Sequence, residues 1–538
     1  MKLGTAALAA AVALAGCSRG TNVATGDRDQ VLHRGIGPDL ADLDPHMATE
    51  TSYYTVLSAL LEGLVGEDPA DLHPVPGVAE RWEASPDGLT YTFHLRGDAR
   101  WSNGEPVTAQ DFIESWRRIL TPSLGAAKAS QLYLIQGAEA FNKGDAGFAQ
   151  VGLRATGART LTVSLEHPAP WFLSLLSGPA WMPVPVSTIA EYGGVASRGN
   201  PWAEPGKWVG NGPFTLASWH RGQEIVVAKS PTYWDAARVT LREIHFHAFD
   251  SIDAEERAFR AGQLHVTETL PPGKIDTYAK EAPELLRADP LLGTFFLRVN
   301  VRRPVLNDAR VRLALALAVD RSAIVERILR GGQKPAASFT PPGLDGYAPE
   351  AVQQRQVDEA RRLLAQSGHP GGAGLPVLDL LYNTSESHRT VAEALQEMWR
   401  RDLGVQVQLV NEDFKSTEAA RSTGNYDLLR SAEIADYADP SAFLEMWRSD
   451  SSNNFTGWSN PDYDSLLFAA DRTTDPAARY ALYGKAEHLL LTEAPVIPIY
   501  HYMHVFLLRP SVKGWNSTLL DHHPYKWVRL SQVTPDSP

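Results

Sequence analysis

The sequence predicts a large α/β protein divided into two or three lobes. Strand-like and helix-like stretches alternate along the whole chain, which is typical of mixed α/β folds. The chain has 538 residues, well beyond the roughly 250–300 at which a single hydrophobic core stops growing. Hydrophobic residues make up 43% of the chain and charged residues 21%, which is an ordinary globular composition.

Residues 1–16 have the architecture of a secretory signal peptide, with Lys2 before an alanine-rich apolar run and small residues at its end. The run is too short to span a bilayer, which needs about 20 apolar residues. The segment that ends at Cys17, the single cysteine, resembles a bacterial lipobox. Lipid chains on Cys17 would hold the protein at a membrane surface. A plain signal peptide with a chance cysteine is the alternative.

Polar residues follow Cys17, and we expect residues 17–29 to form a flexible tether. Ser18 resembles the signal that, in a Gram-negative cell, sends a lipoprotein to the outer membrane. Because there is no second cysteine, an internal disulfide cannot form and the core must supply the stability. The net charge of -13 argues against nucleic acid as a partner, since phosphate binding needs a basic surface.

Periodicity predicts the regular elements of the chain. Apolar and polar residues alternate at 90–95 and 160–165, which predicts two strands with one buried face each. Residues 108–120 are predicted to form a helix, because Thr108 and Asp111 resemble a capping box before an apolar stripe. Further helices are predicted at 308–329, 357–366 and 389–402.

The sequence shows no catalytic motif, neither a nucleophile elbow nor a Walker-type phosphate loop. Its histidine pairs lack the His-Glu-x-x-His spacing that places two imidazoles and a base on one helical turn. These pairs are His245/His247, His501/His504 and His522/His523. We therefore expect a protein that is not an enzyme and that has no metal or other cofactor.

Long motifs in a fixed order carry the most specific signal. They comprise residues 77–82 (GVAERW), 85–96 (SPDGLTYTFHLR), 101–112 (WSNGEPVTAQDF), 211–214 (NGPF), 230–234 (SPTYW), 307–312 (NDARVR), 381–385 (LYNTS) and 435–437 (ADY). The set resembles the solute-binding proteins of peptide ABC importers, extracellular solute-binding protein family 5, and most closely their oligopeptide-binding branch.

The resemblance implies an α/β fold of the class II periplasmic-binding-protein type, with two lobes, a hinge and three domains. Domain I is discontinuous and comprises residues 30–61, 186–291 and 504–538. Domain II comprises residues 62–185, and domain III comprises residues 292–503. The cleft between the lobes would enclose a peptide in extended form through main-chain hydrogen bonds that do not depend on its side chains.

The amino end of such a ligand needs a carboxylate, because burying an unpaired cation is unfavourable by several kcal/mol. The resemblance assigns this role to Asp436, with Tyr437 beside it; a turn cap is the alternative role of Asp436. Relatives also present a strand to the peptide at the position of Thr51, and Glu50 is a weaker second candidate there.

The carboxyl end of the ligand needs cations. By the same resemblance these are Arg421, Arg430 and His388, and Tyr502 is an aromatic residue that lines the pocket. A surface salt bridge or a helix-end cation is the alternative role of the basic residues. A further family lysine falls on Leu329.

Glu433 and Ile434 stand where close relatives carry an aromatic residue and a cysteine. The partner position of that cysteine, near Gly293, also has no cysteine, so the resemblance implies that a disulfide has been lost as a pair. Glu433 is expected to add negative potential near the amine site and to favour basic peptides. The alternative is that Glu433 points to solvent.

The function implied by the resemblance is capture of extended oligopeptides by a monomeric, lipid-anchored protein of the periplasm or cell envelope. Its partners would be the ligand and the permease subunits of an ABC transporter. The same fold binding dipeptides, murein peptides, a metal chelate or haem is an alternative. So is a peptide-sensing or chaperone receptor, and an exported hydrolase is a weaker alternative.

Overall fold

A computed structural model describes residues 21–48 and 52–531; Cys17, Glu50 and Thr51 lie outside them. The strands β1–β18 are Val31–Gly35, Val65–Glu67, Pro74–Pro76, Ala79–Ala84, Thr90–Leu95, Leu153–Gly157, Thr160–Ser164, Phe214–His220, Glu224–Lys229, Glu243–His247, Leu286–Val299, Lys334–Pro335, Leu378–Asn383, Val407–Glu412, Leu428–Ile434, Val496–Leu507, Val512–Lys513 and Arg529–Leu530. The helices α1–α16 are Asn22–Asp29, Ser52–Leu60, Ala109–Leu120, Ala138–Lys143, Phe172–Leu175, Val186–Glu191, Ile252–Arg260, Ile275–Glu281, Ala309–Leu317, Arg321–Ala323, Val357–Gln366, Glu386–Leu403, Phe414–Thr423, Ser441–Leu444, Pro461–Asp471 and Pro476–Glu493.

Three larger sheets organise the chain. The first has the order β1-β10-β9-β8, with β1 parallel to β10, and the second is the antiparallel sheet β4-β5-β7-β6. The third sheet has six strands in the order β12-β16-β11-β15-β13-β14. This mixture of sheets and helices confirms the predicted α/β class.

The hydrophobic cores divide the molecule into two lobes. One continuous core joins the first two sheets, with fully buried residues such as Leu32 and Phe93. The third sheet has separate cores, which include Leu380 and Phe296 respectively. The first two sheets therefore form one lobe and the third sheet forms the other.

Two long strands, β11 and β16, cross between the lobes. Leu286 pairs with Leu507 near one end of the antiparallel ladder, and Arg298 pairs with Val496 near the other. The register shifts between Pro290 and Thr294, so the ladder is irregular in its middle. A break of this kind lets two paired strands bend without losing the pairs on either side.

Several predicted elements are confirmed at residue level. Helix α3 begins after Thr108, whose hydroxyl accepts from the Asp111 backbone N–H while the Asp111 carboxylate accepts from the Thr108 backbone N–H. The predicted helix at 308–329 is wrong as one element: α9 ends at Leu317, and a new start follows at α10. There the Asp320 carboxylate accepts from the Ala323 N–H at 3.0 Å, which caps the second piece.

The expected tether is also wrong over part of its length, because residues 22–29 form helix α1. Thr21 caps this helix through the Ala24 N–H at 3.2 Å. The Val23 N–H donates to the Gly262 carbonyl at 3.1 Å, which attaches the helix to the first lobe. Over the part of the chain that is described, no helix has the length and apolar character needed to cross a bilayer.

Candidate ligand-binding cleft

A cleft of about 1140 Å³, including its open mouth, lies between the lobes. Both lobes contribute its walls. Its polar lining includes Lys128, Gln131, Glu268, Asp436, His504 and Asp521, and its apolar lining includes Leu175, Leu291, Ile434 and Leu520. The cleft can therefore receive an amphipathic ligand from solvent.

Asp436 lies at the edge of this cleft, just after β15. Its carboxylate accepts from the Lys128 ammonium at 3.0 Å and from the Gln131 amide at 2.7 Å. Both partners belong to the opposite lobe, so these bonds cross the cleft. The Asp436 side chain is 42% exposed, which leaves the carboxylate accessible and already paired with a cation.

Tyr437 also reaches the opposite lobe. Its ring stacks on Trp171 with centroids 6.4 Å apart and an interplanar angle of 13°. Its hydroxyl lies 3.1 Å from the Ser441 hydroxyl. Asp436 and Tyr437 together hold the two lobes close on this side of the cleft.

Arg430, His388 and Tyr502 form a second cluster. The Arg430 guanidinium donates to the Asn383 side-chain oxygen at 3.3 Å and to the Tyr502 hydroxyl at 3.4 Å. It lies 4.8 Å from the centre of the Phe295 ring, which also contacts His388. These three candidates therefore lie together in the structure.

His388 differs from the basic residue expected at the carboxyl end. Burial, helped by the Arg430 charge, lowers the pKa of His388 to about 4. The imidazole is therefore neutral at pH 7, and it can offer a hydrogen bond but no charge. Its Nδ1 lies 3.2 Å from the Asn383 carbonyl oxygen.

Glu433 lies on the opposite face of β15 from Arg430, because side chains alternate along a strand. Burial, together with the Asp436 carboxylate, raises the pKa of Glu433 to about 7, and the Arg298 charge opposes this. Glu433 is half-buried, so it does not simply point to solvent. Its environment connects it with Asp436 rather than with Arg430.

Arg421 is already paired in this structure. Its guanidinium forms an ion pair with Glu418 on the same helix and lies 4.7 Å from the Phe455 ring centre. The surface salt bridge considered as an alternative role for this residue is present. Leu329, where a family lysine falls, ends the π-helical segment Ile324–Leu329 that follows α10.

The resemblance implies that a disulfide has been lost at Ile434 and near Gly293, and these two residues are neighbours in the structure. Gly293 pairs with Ile434 in the register of β11 and β15. A Cβ atom on Gly293 would lie 3.2 Å from Ile434 Cγ1 and 3.2 Å from Tyr502 Cδ2. Ile434 and Tyr502 thus occupy the space beside Gly293.

No sequence pattern pointed to the partners of Asp436. Lys128 and Gln131 precede it by about 300 residues, and only the fold brings these side chains together. Asn383, by contrast, belongs to the LYNTS motif at 381–385. That motif pointed to the correct strand without indicating which side chain contacts Arg430.

The fold and the cleft define a two-lobed protein of the class II periplasmic-binding-protein type. The chain belongs to the bacterial extracellular solute-binding proteins, family 5, whose middle-region model matches residues 73–455. It is 36% identical over 495 residues to the periplasmic oligopeptide-binding protein OppA of Escherichia coli (strain K12), with 90% of each chain covered.

Solved structures show the same relationship. The unliganded open form of the periplasmic murein tripeptide binding protein MppA matches with a TM-score of 0.81 and 35% identity, over 93% of this chain and 97% of that one. Haemophilus influenzae OppA in complex with RPPGFSPFR matches with a TM-score of 0.77 and 31% identity, over 93% and 99%. These relatives are named as periplasmic proteins that bind oligopeptides or a murein tripeptide.

Proposed function

We propose that this protein captures extended oligopeptides in the cleft and delivers them to the permease subunits of an ABC importer. The observation that supports this proposal most directly is the contact of Asp436 with the Lys128 ammonium at 3.0 Å across the cleft. A carboxylate that accepts from one ammonium group at this place can accept from another. The α-ammonium group of a peptide is the ligand group with that chemistry.

Exchange of the lysine for a peptide is energetically accessible. The side chains of Lys128 and Asp436 are 36% and 42% exposed, and ion pairs of this kind contribute about 0.2–1 kcal/mol. A peptide amine enclosed by closure of the lobes meets the same carboxylate with less competing water, which strengthens the attraction. The ligand can therefore displace Lys128.

Arg430 supplies the cation for the other end of the ligand. Among the residues described, no carboxylate forms an ion pair with it, and its Nε atom is buried without a hydrogen-bond partner. A half-buried guanidinium with only neutral partners favours an incoming carboxylate, which it can bind through two parallel hydrogen bonds. Main-chain contacts between the two ends would accept varied side chains.

The three domains expected from the sequence would allow the two lobes to close on the ligand. Their boundaries at 291/292 and 503/504 fall beside the irregular register between Pro290 and Thr294, which we assign as the hinge. Ligand contacts from both lobes would stabilise the closed form, and the permease would recognise that form. The protein would act as a monomer, held at the membrane surface through lipid on Cys17 and facing the periplasm.

The test is mass spectrometry of the ligand released from the purified protein, together with thermal shifts in the presence of di-, tri-, tetra- and pentapeptides. Release of peptides longer than two residues, with stabilisation by synthetic peptides of the same length, supports the proposal. Stabilisation by dipeptides alone, by a murein peptide alone, or by a metal chelate or haem would replace the ligand class. Loss of intact peptide during incubation would indicate a hydrolase.

A further inference from the structure

Three histidines project from the non-core face of the first sheet. His33 in β1 pairs with His245 in the parallel neighbour β10, and His247 follows two residues later. The alternate residues Leu32 and Ile244 are fully buried in the core. Since side chains alternate along a strand, the three imidazoles share the opposite face.

The three rings lie at the spacing of metal ligands. His33 Nδ1 is 3.0 Å from His247 Nε2, and one ring nitrogen of each histidine lies within 4.8 Å of those of the other two. Two nitrogen ligands of a tetrahedral zinc ion, with bonds of about 2.0–2.1 Å, lie about 3.3 Å apart. Small ring rotations would therefore bring all three nitrogens to one ion.

Two glutamate carboxylates lie beside these rings, at positions where carboxylates often support or join a metal site. Glu224 Oε2 lies 3.3 Å from His245 Nδ1 and 3.8 Å from His247 Nδ1. Metal-bound histidines commonly donate their second ring N–H to such a carboxylate, which fixes the ring and its tautomer. Glu243 Oε2 lies 3.1 Å from His245 Nε2 and can supply an oxygen ligand.

A fourth histidine supports the backbone of this cluster. His265 Nδ1 accepts from the backbone N–H of His33 at 3.0 Å, and its ring stacks on His33 with centroids 5.8 Å apart. Because that nitrogen is occupied by the backbone, His265 orients β1 and is not counted as a ligand.

We propose that His33, His245 and His247 bind one divalent transition-metal ion of the zinc type. Imidazole nitrogen with one carboxylate oxygen is a donor set suited to zinc. The side chains of His245 and His247 are 22% and 20% exposed, which gives an ion access from solvent. The ion would tie β1 to β10, two strands about 210 residues apart in the chain that form the parallel edge of the sheet.

This site is separate from the proposed peptide site. None of the three histidines lines the cleft between the lobes. A structural ion here would stabilise the first lobe without contacting the peptide. The proposal also goes beyond the sequence prediction, which found the pair His245/His247 without His33 and expected no metal.

The test uses the full chain, purified without a histidine tag and with Cys17→Ser, which removes the single thiol. After treatment with EDTA, the protein is titrated with Zn²⁺ by isothermal calorimetry, and its melting temperature is measured with and without the ion. We expect one equivalent of Zn²⁺ to bind and the melting temperature to rise. Absence of binding would overturn the proposal.

Variants locate the ion. His245→Gln should weaken Zn²⁺ binding at least about tenfold, since even loss of a residue that only supports a metal ligand typically weakens binding about 10–100-fold. The matched control is His73→Gln, which changes an exposed histidine beside Asp68 and Asp71, a second group with metal-ligand spacing. Loss of binding in the control, or unchanged binding in His245→Gln, would contradict the assignment.

A measurement on the unsubstituted cluster does not depend on how the variants fold. With one equivalent of Cu²⁺ in place of Zn²⁺, the electron paramagnetic resonance spectrum should show coupling to imidazole nitrogens. A spectrum with oxygen ligands alone would overturn the proposal. Peptide affinity measured in the same samples should not change with the ion, so this test and that of the proposed function can fail independently.

Discussion

Replacing Lys128 by methionine removes the cation that faces Asp436 and keeps a long side chain. In the unsubstituted protein an incoming peptide must first break this ion pair. Because the two side chains are 36% and 42% exposed, the pair contributes about 0.2–1 kcal/mol. The dissociation constant for a peptide with a free amino group should therefore fall by about 1.4- to 5-fold in Lys128→Met.

Isothermal calorimetry with a tetrapeptide, free or acetylated at its amino end, measures this change. The free peptide should gain affinity and the acetylated peptide should not. Lys143→Met is the matched control, because Lys143 lies in the same lobe and pairs at 2.7 Å with Glu139 on its own helix. A large loss of affinity in Lys128→Met would refute the reasoning, since it would mean that Lys128 contacts the ligand directly.

Two further predictions concern Glu433 and Arg430. Burial raises the pKa of Glu433 from 4.5 to about 7, so its negative charge forms as the pH rises through about 7. The affinity for lysine-containing peptides should rise over the same pH range in the unsubstituted protein but not in Glu433→Gln. Because the pKa of Glu433 is higher in the folded than in the unfolded protein, the free energy of unfolding falls as the pH rises between the two values. Glu433→Gln should therefore resist urea better than the unsubstituted protein at pH 8, with no such gain at pH 4. Identical pH profiles of stability for the two proteins would place the carboxyl in solvent. Arg430→Ala should weaken binding of peptides with a free carboxylate by about 10- to 150-fold, since hydrogen bonds to charged groups contribute about 1.5–3 kcal/mol, and it should affect amidated peptides less. The control is Arg389→Ala, which changes an exposed residue on α12. Equal losses of affinity for the free and the amidated peptide would contradict the proposal that Arg430 binds the ligand carboxylate.

Local signals predicted local structure well. The capping box at Thr108 and the alternation at 90–95 are confirmed because hydrogen bonds and burial within a few residues decide them. The helix predicted at 308–329 is interrupted because the Asp320 side chain caps a second start, a competition that the apolar spacing does not reveal. Helix α1 forms within the expected tether because its residues find partners in a distant part of the chain, such as Gly262.

In the candidate site, too, some features follow from the local sequence and others depend on contacts between distant parts of the chain. The motif at 435–437 pointed to Asp436, which lines the cleft. The resemblance named Arg430, His388 and Tyr502 one by one, and only the fold shows that they form one cluster. The pairing of Asp436 with Lys128 depends on how two lobes meet, so no pattern within either segment predicts it. The neutral state of His388 has a similar origin, since it follows from burial beside Arg430.

The most direct test of the account is the affinity of Asp436→Asn for a tetrapeptide with a free amino group, compared with its acetylated form. Breaking an enclosed charge pair by removing one partner costs about 3–5 kcal/mol, so affinity for the free peptide should fall by about 150-fold or more. The melting temperature without ligand should change little, because the Asp436 and Lys128 side chains are each more than one third exposed, and such pairs contribute only about 0.2–1 kcal/mol. Unchanged affinity for the free peptide in a folded variant would contradict the assignment of Asp436 as the partner of the peptide amine.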